Sequence, residues 1–404
     1  MFSSSGVFVD NTLKHAAQEG GWPRRAGLSA LTSALGADNI RWVGGAVRDT
    51  LIGMAVHDVD CATLHTPDTV IDLCKAAGIR TVPTGIDHGT VTAVLEDGPV
   101  EITTLRRDVA TDGRRATVAF ASEWRDDAAR RDFTINALYA HPATLEISDY
   151  FGGLDDLAAR RVRFIGDARE RIAEDHLRIL RYFRFQARFG ADLDDEAEEA
   201  CADLAGTLKG LSRERVASEI LSLLGLPAPH ATIARMRERG VWGVVLPETC
   251  AAHVQSLKAL IARESEQGFA PDALRRLAAL LPPSPDVAAD VAARFRLSRA
   301  QRARLISAAE RLGSDAQDIY ALAYELGTTF AADRLLLLGD DARPVRDWQR
   351  PIFPLKGGTI VAHGVAAGPQ VSRIMQTIEQ RWVAEGFPGN ARVQELLAEE
   401  MPQG

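Results

Sequence analysis

Val43-Gly44-Gly45-Ala46-Val47-Arg48-Asp49, followed by Gly53 and then by His57-Asp58-Val59-Asp60, is the stretch on which the reading of this chain turns. In an extended strand, residues i and i+2 share a face, so Asp58 and Asp60 set two carboxylates side by side. Such a pair repels itself unless a cation lies between the groups. Hard oxygen ligands of this kind suit Mg²⁺. The glycine pair upstream lets backbone N–H groups approach a phosphate closely. An isolated D-x-D is most often a solvated strand end, but Gly44-Gly45 and Arg48-Asp49 precede this one at short spacing. Together they describe a site for a nucleoside triphosphate and its metal ions. Glu101, in Val100-Glu101-Ile102-Thr103, can supply a third carboxylate from a neighbouring strand, although alone it reads equally well as a surface residue.

Around this stretch the pattern is mixed α and β. Residues 25–36 have helical apolar spacing, Ile40–Val43 is a short strand, and Ala46–Ile52 is a helix stopped by Gly53. Val56–Cys61 alternates as a strand, and Thr69–Ala77 is a helix ending at Gly78. Thr90–Leu95 and Val100–Leu105 are strands joined by Glu96-Asp97-Gly98-Pro99. After Gly152-Gly153 the chain turns rich in Ala, Leu, Arg and Glu at helical spacing. Pro227-Ala228-Pro229 and Leu281-Pro282-Pro283-Ser284-Pro285 punctuate the helical blocks, and a last helix is expected near Gln370–Glu385.

At 404 residues the chain is long enough for two to four domains. Its 46% apolar and 25% charged content is that of a globular protein, with no apolar run long enough for a membrane span. The start, Met1-Phe2-Ser3-Ser4-Ser5, does not read as a signal peptide. The four cysteines, Cys61, Cys74, Cys201 and Cys250, lack C-x-x-C spacing and read as reduced thiols of a cytoplasmic protein. The net charge of −8 argues against broad nucleic-acid binding, yet Asp156–Arg188 holds nine arginines against five acids. A polar molecule with one confined basic channel fits this distribution.

Two further constellations lie downstream. In Arg130-Arg131-Asp132-Phe133-Thr134-Ile135-Asn136-Ala137-Leu138 two arginines precede an acid and an apolar run, as if to open a helix with Asp132 near its N-terminus. Arginine neutralises triphosphate oxygens with a planar fork of donors, and Asn136 offers an amide to a ribose hydroxyl. A charged helix start with a structural ion pair accounts for the same residues equally well. Glu174-Asp175-His176-Leu177-Arg178-Ile179-Leu180-Arg181-Tyr182-Phe183-Arg184-Phe185 reads as one helix. There Asp175 and Arg178 share a face at i,i+3, and Arg178, Arg181 and Arg184 form a basic ridge. A surface helix with ion pairs is the commoner source of that pattern. Ser212, in Leu211-Ser212-Arg213-Glu214, is a structural N-cap. Nine scattered histidines form no Ser–His–Asp order, no H-E-x-x-H and no histidine–aspartate phosphohydrolase motif, and His230, His253 and His363 read as ordinary surface or packing residues.

The order of these motifs, with Asp149-Tyr150-Phe151-Gly152-Gly153-Leu154-Asp155-Asp156-Leu157 between the last two, resembles the class II tRNA nucleotidyltransferase/poly(A) polymerase family of the DNA polymerase β superfamily. The likeness spans residues 40–220. It implies an α+β head with the nucleotidyltransferase fold, a mixed sheet with helices, followed by an all-α neck, body and tail. The implied boundaries are 1–140 for the catalytic head, 141–224 for the neck, 225–285 for the body and 286–404 for a tRNA-binding tail.

By the same resemblance, Asp58 and Asp60 bind catalytic Mg²⁺ with Glu101 as an auxiliary carboxylate. Gly44, Gly45 and Arg48 meet the triphosphate, and Arg131 assists. Asp175, Arg178, Arg181 and Arg184 face the incoming nucleotide. The implied activity is template-independent addition of C, C and A to a tRNA 3′ end from CTP and ATP, by in-line attack on the α-phosphate with release of pyrophosphate. The loop Arg106–Arg115 resembles the flexible loop of enzymes that add all three nucleotides. Poly(A) polymerase or a partial, A-adding activity is the alternative within the family, and an inactive RNA-binding module is the alternative outside it. No membrane and no protein partner is expected.

Overall fold

The computed structural model describes residues 7–8, 11–18, 21–56, 58–111, 116–190 and 193–401. It separates into two compact units, one of residues 1–211 with 235–245 and one of residues 212–234 with 246–404.

The first unit is built on one mixed sheet. Its strands are β1 (Val7–Phe8), β2 (Ile40–Val43), β3 (Val59–Thr63), β4 (Arg80–Gly85), β5 (Thr90–Leu95), β6 (Gly98–Thr104), β9 (Leu138–Ala140) and β10 (Ile147–Asp149); β7 (Arg106–Thr111) and β8 (Ala116–Phe120) form a separate ribbon. The sheet order is β1-β10-β9-β2-β3-β6-β5-β4, and β3–β6 is its parallel pair. Parallel neighbours need a crossover. It is made by helix α4 (Pro67–Ala76) and the β4–β5 hairpin, after helices α1 (Asn11–Gln18), α2 (Ala26–Leu35) and α3 (Gly45–Leu51). Helix α4 is stopped and started by local chemistry. Thr66 caps it by accepting from the Thr69 N–H, Pro67 opens it, and Gly78 at φ +73° ends it.

The registers place the acidic wall. Val43 stands opposite Asp60, and Asp60 stands opposite Glu101. Val59, Cys61, Val100 and Ile102 are buried on the other face of these two strands. The alternation therefore turns Asp60 and Glu101 to the same open side.

Several elements differ from the sequence expectation. The strand predicted over Val56–Cys61 begins at Val59, so Asp58 precedes β3 instead of lying within it, and His57 falls outside the described residues. The Arg130–Asp132 segment does not open a helix. It follows α5 (Trp124–Ala129), with Arg130 as its C-cap, and leads into a single tight turn at Thr134–Asn136. The stretch 174–185 is not one helix. After α6 (Gly153–Ala158), helix α7 (Ala168–Glu174) ends where Asp175 turns extended, and α8 (Arg178–Phe189) starts anew. The Asp175 carboxylate accepts from the Leu177 N–H at 3.1 Å, a local bond that competes with helix continuation. The expected flexible loop is the β7–β8 ribbon, its tip at 112–115 lying outside the described residues.

The second unit is helical among its described residues, and Ser212 caps Arg213–Leu224 as expected. The helix expected last, Pro369–Ala384, is followed by another at Asn390–Glu400. Beside an aromatic cluster around Trp382, Tyr324 and Phe387, this unit buries an ion network. Glu264 accepts from Arg275 Nη1 and Arg276 Nε, each at 2.8 Å, and Asp333 accepts from Arg275 and Arg304. No helix among the described residues is long and apolar enough to cross a membrane.

Glu264 is 2% exposed and holds two guanidiniums that are 6% and 1% exposed. Glu264→Ala leaves Arg276 buried with backbone carbonyls but without this carboxylate, and leaves Arg275 to Asp333, so it is expected to destabilise this unit by about 3–5 kcal/mol, read as an earlier transition in chemical denaturation followed by tryptophan fluorescence.

Candidate active site

A cleft of about 700 Å³ opens above the sheet, within the first unit. That is in the range of about 300–1,000 Å³ found for small-molecule sites. Every site residue expected from the sequence lines it: Gly44, Gly45, Arg48, Asp58, Asp60, Glu101, Arg131, Asp175, Arg178, Arg181 and Arg184. So do Thr103, Arg106, Arg130, Asp132, Asn136 and Phe185.

One wall is acidic. Gly44, at φ +65°, turns the chain from β2 into α3, a conformation that costs glycine little. A Cβ there would lie 3.6 Å from Arg131 Nη1 and 3.9 Å from an Asp60 carboxylate oxygen. The Asp60 carboxyl is held above the usual carboxylate range. The walls of the cleft strip part of its hydration, Glu101 and Asp58 add like charge, and Arg131 and Arg48 offset only part of this. Among the described residues no three His, Cys, Asp or Glu side chains are drawn together as a ready ligand set. The residues present nonetheless fit a hard divalent cation, because carboxylates that destabilise one another's ionised form are relieved by a bound positive charge.

The other wall is basic and comes from α8. Its apolar stripe, Ile179, Leu180, Tyr182 and Phe183, is buried, which turns the arginines toward the cleft. Phe133 packs against Phe164, Tyr182 and Phe185, with ring centroids 5.0, 6.3 and 5.3 Å apart, and so ties the second motif to this helix. The guanidiniums of Arg48, Arg181 and Arg184 stand 5.1, 5.5 and 4.7 Å from the Phe185 ring, an arrangement that the negative face of an aromatic ring favours.

Three ties fix the two walls. Arg181 Nε donates to Asp132 at 2.7 Å, Arg188 Nη2 donates to Asp49 at 3.0 Å, and Arg178 Nη2 donates to the Arg130 carbonyl at 2.8 Å. Asp132 also accepts from the Phe133 N–H and the Asn136 amide. Although burial pushes Asp132 up, Arg181 and Asn136 hold it below the usual carboxylate range. Arg178 donates as well to Glu174 at 2.6 Å and to the Arg171 carbonyl at 2.9 Å, which fixes the plane of its guanidinium.

Arg48 is placed differently from the expectation that it reaches out to a triphosphate. It is 4% exposed, donates to Asp49 and Asn136, and lies between the Phe185 and Phe189 rings. Burial lowers its pKa, against the pull of Asp49. Asn136, whose amide was expected to meet a ribose, instead clips Arg48 to Asp132.

A set of contacts behind the wall went unread in the sequence. Asp127 is buried and accepts from Arg130 Nε at 2.8 Å, from Arg131 Nη2 at 3.3 Å and from the Tyr139 hydroxyl at 2.7 Å. Its spacing of three and four residues from the two arginines is a helical ion-pair signal, visible in the sequence but overshadowed by the Arg-Arg-Asp run itself.

Comparison with known proteins places the chain in a family. The family described as the poly A polymerase head domain matches residues 40–163, and that described as the probable RNA and SrmB-binding site of polymerase A matches residues 190–253. The protein named CCA tRNA nucleotidyltransferase 1, mitochondrial, of Mus musculus is 35% identical over 384 residues, covering 89% of this chain and 87% of that one. The CCA-adding enzyme of Streptococcus pyogenes is 44% identical over 191 residues, 47% of this chain and 46% of the relative. Among solved structures, the Bacillus stearothermophilus CCA-adding enzyme in complex with CTP superposes with a TM-score of 0.75 at 25% identity, over 94% of this chain and 98% of that one.

The raised Asp60 carboxyl has a consequence for stability. A carboxylate whose folded pKa lies above its unfolded value disfavours folding when ionised, and the penalty fades as pH falls through the folded value. In divalent-free buffer at neutral pH, Asp60→Asn is expected to melt at a higher temperature than wild type. The gap should narrow on acidification, as differential scanning calorimetry across pH will measure.

Proposed function

The chain belongs to the CCA tRNA nucleotidyltransferase family, and on that premise we propose that it adds C, C and A to tRNA 3′ ends from CTP and ATP, with release of pyrophosphate. The single observation that carries the residue-level reading is the convergence in one cleft of an acidic wall from β3 and β6 and a basic wall from α8.

Each residue acts as its surroundings allow. Asp58 and Asp60, with Glu101 beside them, would hold Mg²⁺, which when bound supplies Lewis-acid activation of the attacking 3′-oxygen and charge neutralisation of the phosphates. The Gly44-Gly45 turn brings backbone close to the phosphates. Arg131 stands next to Asp60 and neutralises charge developing on the transferred phosphoryl group. Arg181 and Arg184 extend positive charge along the triphosphate. Arg48 contributes as a brace that keeps Asn136 and the start of the second motif in place.

Base choice belongs to Asp175 and Arg178. Cytosine and adenine each pair an amino donor with a ring-nitrogen acceptor, whereas uracil and guanine present the reverse polarity. Asp175 accepts from the amino group, and Arg178, its plane fixed by Glu174 and two carbonyls, donates to the ring nitrogen. A wrong base leaves both groups mispaired, at about 1–3 kcal/mol each. The side chains thus take the place of a nucleic-acid template.

We further place a head at 1–140, a neck at 141–224, a body at 225–285 and a tRNA-gripping tail at 286–404 along the chain. The compartment we assign is the cytoplasm, in keeping with four free cysteines. The Mus musculus relative is named mitochondrial. Poly(A) polymerase stays in view as the second reading because both matching family descriptions carry that name.

Incubation with tRNA lacking its 3′ end, Mg²⁺ and each labelled nucleoside triphosphate tests the reading. Two C and one A are expected. Long A tails would replace it with polymerase activity, and no transfer would leave an RNA-binding module. Asp58→Ala is expected to abolish every addition while tRNA affinity, measured by filter binding, stays near wild type. Arg178→Ala should reduce discrimination of C and A against U and G by about 5–150-fold, equivalent to about 1–3 kcal/mol. Unchanged base selectivity in that variant would refute the templating role.

A further inference from the structure

Asp127 lies on α5 and is 1% exposed. It is not itself part of the cleft wall, but Arg106, Arg130 and Arg131, which it holds, all are. One carboxylate oxygen accepts from Arg130 Nε at 2.8 Å and from the Arg106 backbone N–H, at the root of β7, at 3.2 Å. The other accepts from the Tyr139 hydroxyl at 2.7 Å and from Arg131 Nη2 at 3.3 Å. The Tyr139 hydroxyl accepts in turn from Arg131 Nε at 2.8 Å. Arg131 is therefore gripped on Nε and Nη2 from behind, while Nη1, which also donates to the Asn136 carbonyl at 3.4 Å, shares the neighbourhood of Gly44 with an Asp60 carboxylate oxygen.

The charges give this grip its meaning. Arg131 stands between two carboxylate sets, Asp127 behind it and Asp60 with Asp58 and Glu101 in front. Without the rear anion, Coulomb attraction would draw the guanidinium forward onto Asp60. A cation there occupies the oxygens that a metal ion needs. Although burial pushes Asp127 up, Arg131 and Arg130 hold it below the usual carboxylate range, so the rear anion is present at neutral pH.

We propose that Asp127, through Tyr139 and Arg131, is a positioning residue for nucleotidyl transfer: it holds the Arg131 guanidinium at a fixed stand-off from Asp60, so that this carboxylate stays available to a divalent cation. The same carboxylate fixes the root of the β7–β8 ribbon to that arginine. This rests on the reading of Asp58 and Asp60 as metal ligands given above.

A double-mutant cycle tests it. Asp127→Asn preserves size and one acceptor but removes the charge. It is expected to lower kcat for both C and A addition by about 10–100-fold with the nucleotide KM values little changed. In an Arg131→Ala background the same substitution should change kcat by no more than about twofold. Mn²⁺ binding in the presence of CTP without tRNA, followed by electron paramagnetic resonance, supplies a readout independent of turnover. Asp127→Asn should weaken it, and adding Arg131→Ala should restore it. Equal losses of kcat in both backgrounds, or Mn²⁺ affinity unmoved by Asp127→Asn, would reduce Asp127 to a packing role and overturn the proposal. Should Asp127→Asn fail to fold, Tyr139→Phe, which removes one of the two grips, runs the same cycle with a smaller loss. Wild-type protein that transfers neither C nor A, or whose Mn²⁺ binding survives Asp58→Ala, would instead sink the underlying functional reading.

Discussion

Like charge gathered on one side of a cleft is the constraint on which the first unit is arranged. Asp60 and Glu101 stand next to each other in register on parallel strands, with Asp58 just before them. Neither strand can turn its carboxylate away without turning Val59, Cys61, Val100 and Ile102 out of the core. The sheet therefore enforces a repulsion that it cannot relax. Opposing arginines are the remedy available to the protein, but an arginine that reached the carboxylates would occupy the place proposed above for a metal ion. The structure instead keeps its guanidiniums near and restrained: Arg131 by Asp127 and Tyr139, Arg181 by Asp132, Arg178 by Glu174 and two carbonyls, Arg48 by Asp49 and Asn136. Restrained charges of this sort need little reorganisation when a charged substrate arrives, the condition under which electrostatic stabilisation is largest.

The same bonds give the acidic and basic walls a common frame. Asp132, Asp49 and the Arg130 carbonyl accept from Arg181, Arg188 and Arg178 respectively, so α8 is joined to the sheet side of the cleft at points along its whole length. Phe133 beneath Phe185 and Tyr182 excludes water from the seam. Charge-assisted bonds backed by aromatic packing resist shear better than either alone, since the low dielectric strengthens the bonds and the bonds fix the register of the rings.

Much of this was legible because the determining signals are local. The Gly44-Gly45 turn, the Gly53 and Gly78 stops and the strands at 40–43 and 90–95 depend on backbone chemistry within a few residues. All the site residues named from sequence line one cleft for the same reason, since each sits beside a local signal. What was not legible depends in part on partners far along the chain and in part on a local bond that periodicity does not register. The break at Asp175 is invisible to helical periodicity, because leucines and arginines continue their spacing through it; a carboxylate bonding the Leu177 N–H decides the matter. The burial of Arg48 at the edge of the cleft was not legible because nothing in its neighbourhood announces Phe185, Phe189 and Asn136, which the fold brings to it. Arg130-Arg131-Asp132 looked like a helix start because acid near an apolar run is an N-terminal signal. Here Asp132 serves long-range bonds to Arg181, and the helix precedes the motif.

The break before α8 bears on the base recognition proposed for Asp175 and Arg178. On one helix, Asp175 and Arg178 would share a face three residues apart and would satisfy each other as an ion pair. Their polar edges would then be turned inward, toward one another. By leaving Asp175 extended at the end of α7, the chain gives Arg178 a different acid, Glu174, and gives Asp175 a backbone N–H to bond. In the function proposed above, these two groups offer an acceptor and a donor to a base that presents a donor and an acceptor. The helix break, which periodicity conceals, is thus the local event on which the proposed reading of base choice rests.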